Sequence, residues 1–132
     1  MIEDDKSKIV LMVQSAYIVF CYYSISPITI KKFEDTHGEC SWRKSKPGLK
    51  VFKVKETTVE ELQTIFLDPF ADNWYINLNQ DGLKVIVRLG RVLGDGRFIV
   101  IAESNEVVTP REVQAVNYDC SSEFKLIKEG EK

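Results

Sequence analysis

The chain has 132 residues, enough for one domain whose core needs no disulfide or metal to hold it. Hydrophobic residues make up 44% and charged residues 29%, which excludes a globally disordered chain. Lys+Arg 18 against Asp+Glu 20 leaves a net charge of −2, without the basic excess of a domain that grips phosphate backbones.

The first apolar stretch, Ile9 to Ile25, is the densest in the chain. It falls short of the ~20 apolar residues that a membrane helix needs. Gln14 and Ser15 interrupt it, and it is rich in β-branched and aromatic residues. Two adjacent buried strands, Ile9–Gln14 and Ile18–Ser24, are the reading it supports. Ser26-Pro27 then offers an N-cap and a first helical residue, with Gly38 as the stop, for a short helix over 27–37. Ile28, Thr29 and Ile30 are β-branched and weaken that helix. Residues 39–48 are polar, contain Pro47-Gly48, and read as a loop.

A strand follows with Leu49, Val51, Phe52 and Val54, its polar side carrying Lys50, Lys53 and Lys55. Thr58-x-x-Glu61 fits a capping box, but Ile65-Phe66-Leu67 before Pro69 favours a strand, Leu62–Leu67. Asn73–Asn79 alternates, with Trp74, Ile76 and Leu78 on the core side and Tyr75 on the other. Asp81-Gly82 is a hairpin signal leading to Leu83–Leu89, where Leu83, Val85, Val87 and Leu89 point inward. Gly94-Asp95-Gly96 marks a further turn. Arg97–Glu103 is apolar on both faces, which places it centrally in a sheet. Glu106–Val108 is a short edge strand stopped by Pro110. Seven or so short strands and one short helix predict an all-β, antiparallel sandwich. The division is an N-terminal extension 1–8, the sandwich 9–112, and a C-terminal extension 113–132 ending in a frayed tail.

Chemistry is sparse. The single histidine, His37, stands three residues before Cys40. A structural zinc site needs four N or S ligands, and Cys21 and Cys120 are the only others. The expectation is therefore no metal and no cofactor. His37 and Cys40 also fit a nucleophile pair in type, without a supporting third group. A Ser-His-Asp triad would have to use the same His37. Gly90, Gly94 and Gly96 lack the Lys-Ser/Thr of a phosphate loop. Three cysteines, an odd number, with an acidic start at Glu3-Asp4-Asp5, fit a cytoplasmic protein better than a secreted scaffold. The segment Glu103 to Arg111 is the most unusual. Ser104 and Asn105 suit side-chain bonds that turn the chain. Alternatively, Asn105, Thr109 and Arg111 face a ligand from a loop at the end of the sandwich.

At this segment the sequence resembles a known family. Trp74-Tyr75-Ile76, Leu89-Gly90, Gly96-Arg97-Phe98 and Ser104-Asn105-x-Val107-x-Thr109-Pro110-Arg111 follow the signature order of an uncharacterised bacterial family, the domain of unknown function four-nine-one-two. Ile9–Val13, Cys21–Pro27 and Leu49–Phe52 are similar to its earlier strands, so the resemblance spans about residues 8–112. It implies an immunoglobulin-like sandwich without known catalysis. It also implies relatives joined to a nucleic-acid-associated helical segment or associated with α-glucan enzymes. The chain departs from the family pattern at five positions. The family tends to have Trp at Tyr23, Asp at Lys53, Tyr at Val85, Glu at Arg88 and Arg at Glu103.

The resulting expectation is a non-catalytic binding module whose ligand is a protein partner or a polysaccharide. Its candidate binding residues are Trp42, Tyr75, Arg97, Ser104, Asn105, Thr109 and Arg111. A glycan calls for exposed coplanar rings; a protein partner calls for an apolar patch or a free sheet edge. Self-association through an edge strand is also open. The alternative is a nucleic-acid-binding domain using the lysine strand and the Trp42 loop. A third is a small cysteine-dependent enzyme.

Overall fold

The structure, a computed structural model, describes residues 6–112. The chain runs β1 (Lys8–Val13), β2 (Ile18–Ser24), α1 (Pro27–His37), α2 (Ser41–Lys44), β3 (Lys46–Val54), β4 (Val59–Phe66), β5 (Asn73–Asn77), β6 (Lys84–Val92), β7 (Phe98–Glu103) and β8 (Val107–Val108). Residues 1–5 and the C-terminal extension 113–132, with Cys120, lie outside the described residues. Lys8, expected in the N-terminal extension, already belongs to β1.

All strand pairing is antiparallel and forms two sheets. One has the order β1-β2-β5. The other has the order β4-β3-β6-β7, with β8 also pairing β6. In the lettering of immunoglobulin-like sandwiches these are A-B-E and C′-C-F-G. The apolar stretch 9–25 is therefore a hairpin, with Ile9 opposite Tyr23 and Val13 opposite Val19. Among the described residues no helix is long and apolar enough to cross a membrane. The period-2 alternation supplies the core. Ile9, Leu11, Val19, Cys21 and Ile76 from the first sheet meet Leu49, Val51, Val85, Val87 and Leu89 from the second.

Helix α1 replaces the usual short link between the second and third strands. The Ser26 Oγ accepts from the Ile28 N–H at 3.1 Å, and Gly38, at φ +111°, donates to the Glu34 carbonyl at 2.8 Å. These two caps, with Pro27 in the first turn, outweigh the β-branched run at 28–30. Ser7 ties the helix start to the N-terminal segment. Its Oγ accepts from the Ser26 N–H at 2.9 Å and donates to Thr29 Oγ1 at 2.7 Å.

Four expectations change. Residues 39–48 are not all loop, because α2 and the start of β3 fall in them. Strand β4 begins at Val59, not Leu62, so Thr58 and Glu61 cap no helix. Asp81-Gly82 joins β5 to β6 in the opposite sheet and makes no hairpin. The left-handed φ of +61° at Gly82 serves a cross-sheet turn equally well. Among the described residues strand β7 is not central: it pairs β6 on one side only. Its second apolar side, Ile99 and Ile101, faces Phe33 and Thr29 of α1 across a shallow groove.

Tyr23 leaves a buried flaw in the core. Its hydroxyl is sealed from solvent and has no hydrogen-bond partner among the described residues. Burial, with nearby Cys21 and the carboxylates Asp72 and Asp68, pushes its pKa up to about 12. An orphaned buried hydroxyl costs about 1–3 kcal/mol. Tyr23→Phe is therefore expected to stabilise the fold by about 1 kcal/mol, seen as a higher urea midpoint at unchanged m-value. A fall in the midpoint would mean that the hydroxyl has a partner.

Candidate functional site

The Ser104–Arg111 segment is built into the fold. Strand β7 leaves β6 at Glu103 and β8 rejoins it at Val107. Between and beyond these strands, side chains complete the ladder. The Val87 N–H donates to Ser104 Oγ at 2.9 Å while the Ser104 N–H donates to the Val87 carbonyl at 2.9 Å. In the same way the Leu83 N–H donates to Thr109 Oγ1 at 2.8 Å, and the Thr109 N–H to the Leu83 carbonyl at 2.8 Å. Each hydroxyl stands where a neighbouring strand's carbonyl would be. Asn105 turns the other way. Its Oδ1 accepts from the Leu11 N–H at 2.8 Å and its Nδ2 donates to the Leu11 carbonyl at 2.9 Å. The primary amide thus acts as one peptide unit paired to the edge of β1. Ser104, Asn105 and Thr109 commit these polar groups to holding the sandwich together. Arg111 lies over Gly82, and Arg97 pairs with Asp95 at 2.9 Å.

The structure does not bring Trp42 and Tyr75 into one site. Trp42, on α2, is half-buried. The Arg91 guanidinium lies over its ring at 4.2 Å, and the Phe33 ring meets it edge-on at 5.2 Å. Arg91 itself is buried. Its Nε donates to Ser45 Oγ at 2.9 Å and its Nη2 to the carbonyls of Trp42 at 2.6 Å and Ser45 at 3.1 Å. No carboxylate pairs with it among the described residues. Burial pulls its pKa below the usual arginine value. Arg91 was not among the expected site residues. The signal was its parity, which it shares with the inward-facing Val85, Val87 and Leu89.

The lysine strand is largely neutralised by its neighbour. Lys50 pairs with Glu61 at 3.1 Å and Lys55 with Glu60 at 3.0 Å. Both glutamates titrate below the usual carboxylate range. The Lys55 hydrogen bond leads for Glu60; for Glu61 the Thr64 hydroxyl leads, followed by Lys50. The His37 ring packs on Phe33 at 4.7 Å, while the Cys40 sulfur accepts from Arg43 Nη2 at 3.5 Å. No hydrogen bond joins His37 to Cys40 among the described residues. Burial pushes the Cys21 thiol up to about 11, against a smaller opposing effect of the Trp74 backbone, which leaves it protonated near neutrality.

Tyr75 belongs to a different surface. Register places Met12 opposite Phe20 and Phe20 opposite Tyr75, with Tyr22 opposite Val10 one step along. These residues alternate with the buried Leu11, Cys21 and Ile76, so they form the outer face of the β1-β2-β5 sheet. Tyr75 is 58% exposed, Tyr22 47% and Met12 45%. The Phe20 and Tyr75 rings stand 4.7 Å apart, tilted by 47°; Phe20 and Tyr22 stand 6.5 Å apart, tilted by 41°. Nothing in the sequence singled out Phe20 and Tyr22, because the same stretch supplies core residues on its other face.

A family model described as a domain of unknown function, DUF4912, matches residues 5–119. The chain belongs to the DUF4912 family. No match is found among curated proteins or among solved structures. Membership gives the resemblance of the Ser104–Arg111 segment a physical content, since its serine, asparagine and threonine close the sandwich. The positions where the resemblance implies other residues are also paired in the fold. Arg88 stands directly opposite Glu103, with Nη2 to Oε2 at 3.9 Å. Against the Glu and Arg that the resemblance implies there, the pair is simply reversed in sign. Lys53 stands directly opposite Val85. Four of the five departures therefore form two cross-strand pairs.

Proposed function

We propose that this chain is a non-catalytic interaction module that docks a protein partner on the outer face of its three-stranded sheet. The observation that carries this reading is the cluster of exposed Tyr22, Tyr75 and Met12 around the half-buried Phe20. Aromatic and methionine side chains are enriched at protein interfaces. A continuous apolar face on a single chain marks an interaction surface more often than chance. The tilt of 41–47° between its rings suits an irregular apolar partner surface better than the flat stack that a sugar ring needs. Amide capture of the β1 edge by Asn105 removes Leu11 from strand addition, so docking on the face is favoured over docking on that edge.

A photo-crosslinking residue at position 75 tests this in the native cell. It is expected to give a discrete protein adduct that the same residue at Lys31, on exposed α1, does not give. Tyr22→Lys is expected to abolish the adduct while shifting stability by no more than about 0.5 kcal/mol. Identical adduct patterns from positions 75 and 31 would overturn the reading.

A further inference from the structure

The connections β2–β3 and β6–β7 meet at one end of the sandwich and share no residue with the aromatic face. A cleft of about 600 Å³ opens there between α1, α2 and the β6–β7 turn, within the size range of small-molecule sites. Its walls carry the hydroxyl residues Thr36, Ser41 and Ser45 and the cations Lys44 and Arg97. The Ser41 hydroxyl is closed to solvent and has no hydrogen-bond partner among the described residues, so its proton is uncommitted. Behind Ser45 lies Arg91, more than nine-tenths buried, its charge met among the described residues by neutral oxygens and the Trp42 ring. The one acid in the cleft, Asp95, is engaged at both oxygens by the Arg97 backbone N–H and Nε. With Asp95 set against Arg97, the charges of Lys44 and Arg91 have no carboxylate partner among the described residues. A second groove of about 230 Å³ adjoins the first, sharing Thr36 and His37, and is lined by Phe33, Ile99 and Ile101.

We propose that the cleft binds a phosphate monoester carried on an apolar group, the phosphate against Lys44 and the Ser41 hydroxyl, turned outward to meet it, and the apolar part in the Phe33 groove; the Ser45 hydroxyl is already committed, donating to the Trp42 carbonyl at 2.7 Å. These two cations match a dianion, and a phosphate supplies the acceptor oxygens that the orphaned Ser41 hydroxyl lacks. The apolar groove adds the surface that holds an organic phosphate above the free ion. The sandwich architecture is consistent with this, since connections clustered at one end are where related folds build binding loops.

The test is a titration followed by ¹H–¹⁵N correlation spectra at constant ionic strength, with phenyl phosphate, inorganic phosphate and benzyl alcohol as probes. Phenyl phosphate is expected to shift the amides of Ser41, Ser45 and Gly94 saturably. Inorganic phosphate should shift them at least tenfold more weakly, and benzyl alcohol not at all. Lys44→Glu, at an exposed position, should weaken phenyl phosphate at least tenfold. Ser41→Ala should also weaken it while leaving the thermal midpoint unchanged or higher. Tyr22→Lys, on the aromatic face, should leave it unaltered. Equal shifts from inorganic phosphate or from benzyl alcohol would overturn the proposal, as would full binding by Lys44→Glu.

Discussion

Asn105→Ala is expected to destabilise the sandwich by about 2 kcal/mol, because two amide bonds to Leu11 vanish at once and each is worth about 1 kcal/mol net. Leu11 is a core residue of β1, and among the described residues no strand neighbours its N–H and carbonyl on that side. The Asn105 side chain satisfies both. The substitution therefore weakens the tie between the β1 edge and the β7–β8 connection, and it re-exposes a pairing edge. Asn105→Asp should cost more than alanine. It keeps the acceptor but sets a carboxylate against the Leu11 carbonyl. Urea denaturation measures the loss, and hydrogen exchange localises it: the Leu11 amide should become fast while the Val87 amide, held by Ser104, stays protected. Equal protection of Leu11 in wild type and Asn105→Ala would show that the amide pairing carries no stability.

The same segment shows what the sequence reveals and what it hides. Its polar residues point to turn chemistry first and to a ligand second, and bonds to β6 and β1 explain three of them. The strand boundaries of β1 and β2 were legible because β-branched and aromatic runs stop at Gln14 and Ser24. The helix was legible from Ser26, Pro27 and Gly38. Sheet membership was not. A turn such as Asp81-Gly82 has one local chemistry whether the next strand pairs with the last or crosses to the other sheet. The place of β7 was hidden for a related reason, since an apolar second face records that something covers it and not whether the cover is a strand or α1. Trp42 was read as an exposed platform because nothing local announces that Arg91, forty-nine residues later, returns to cover it. Tyr75 kept its exposure, but its neighbours Phe20 and Tyr22 were masked by the core residues interleaved with them.

Gly90→Ala is expected to cost about 3 kcal/mol, the upper end of overpacking penalties. Gly90 stands directly opposite Gly48 across β3 and β6, where the pairing of β6 with β7 shifts register between Leu89 and Gly90. The Phe98 ring lies across both glycines, with the Lys50 ammonium 5.2 Å from its centroid. A Cβ on Gly90 would stand 2.5 Å from the Phe98 ring and 2.6 Å from the Ile99 carbonyl oxygen. The ring can rotate away; the carbonyl belongs to the β7 backbone and moves only if the edge strand moves. This separates two contributions. Phe98→Ala should relieve part of the Gly90→Ala penalty, giving a coupling of about 1 kcal/mol in a double-mutant cycle, and the remainder is the clash with Ile99. Gly94→Ala is the control, since nothing lies within 4 Å of a Cβ there, and its stability should change by no more than about 0.5 kcal/mol. Matching denaturation midpoints for Gly90→Ala and Gly94→Ala would show that β7 slides freely. In that case the register shift at Gly90 would not be what fixes the β6–β7 turn and the cleft wall that it forms.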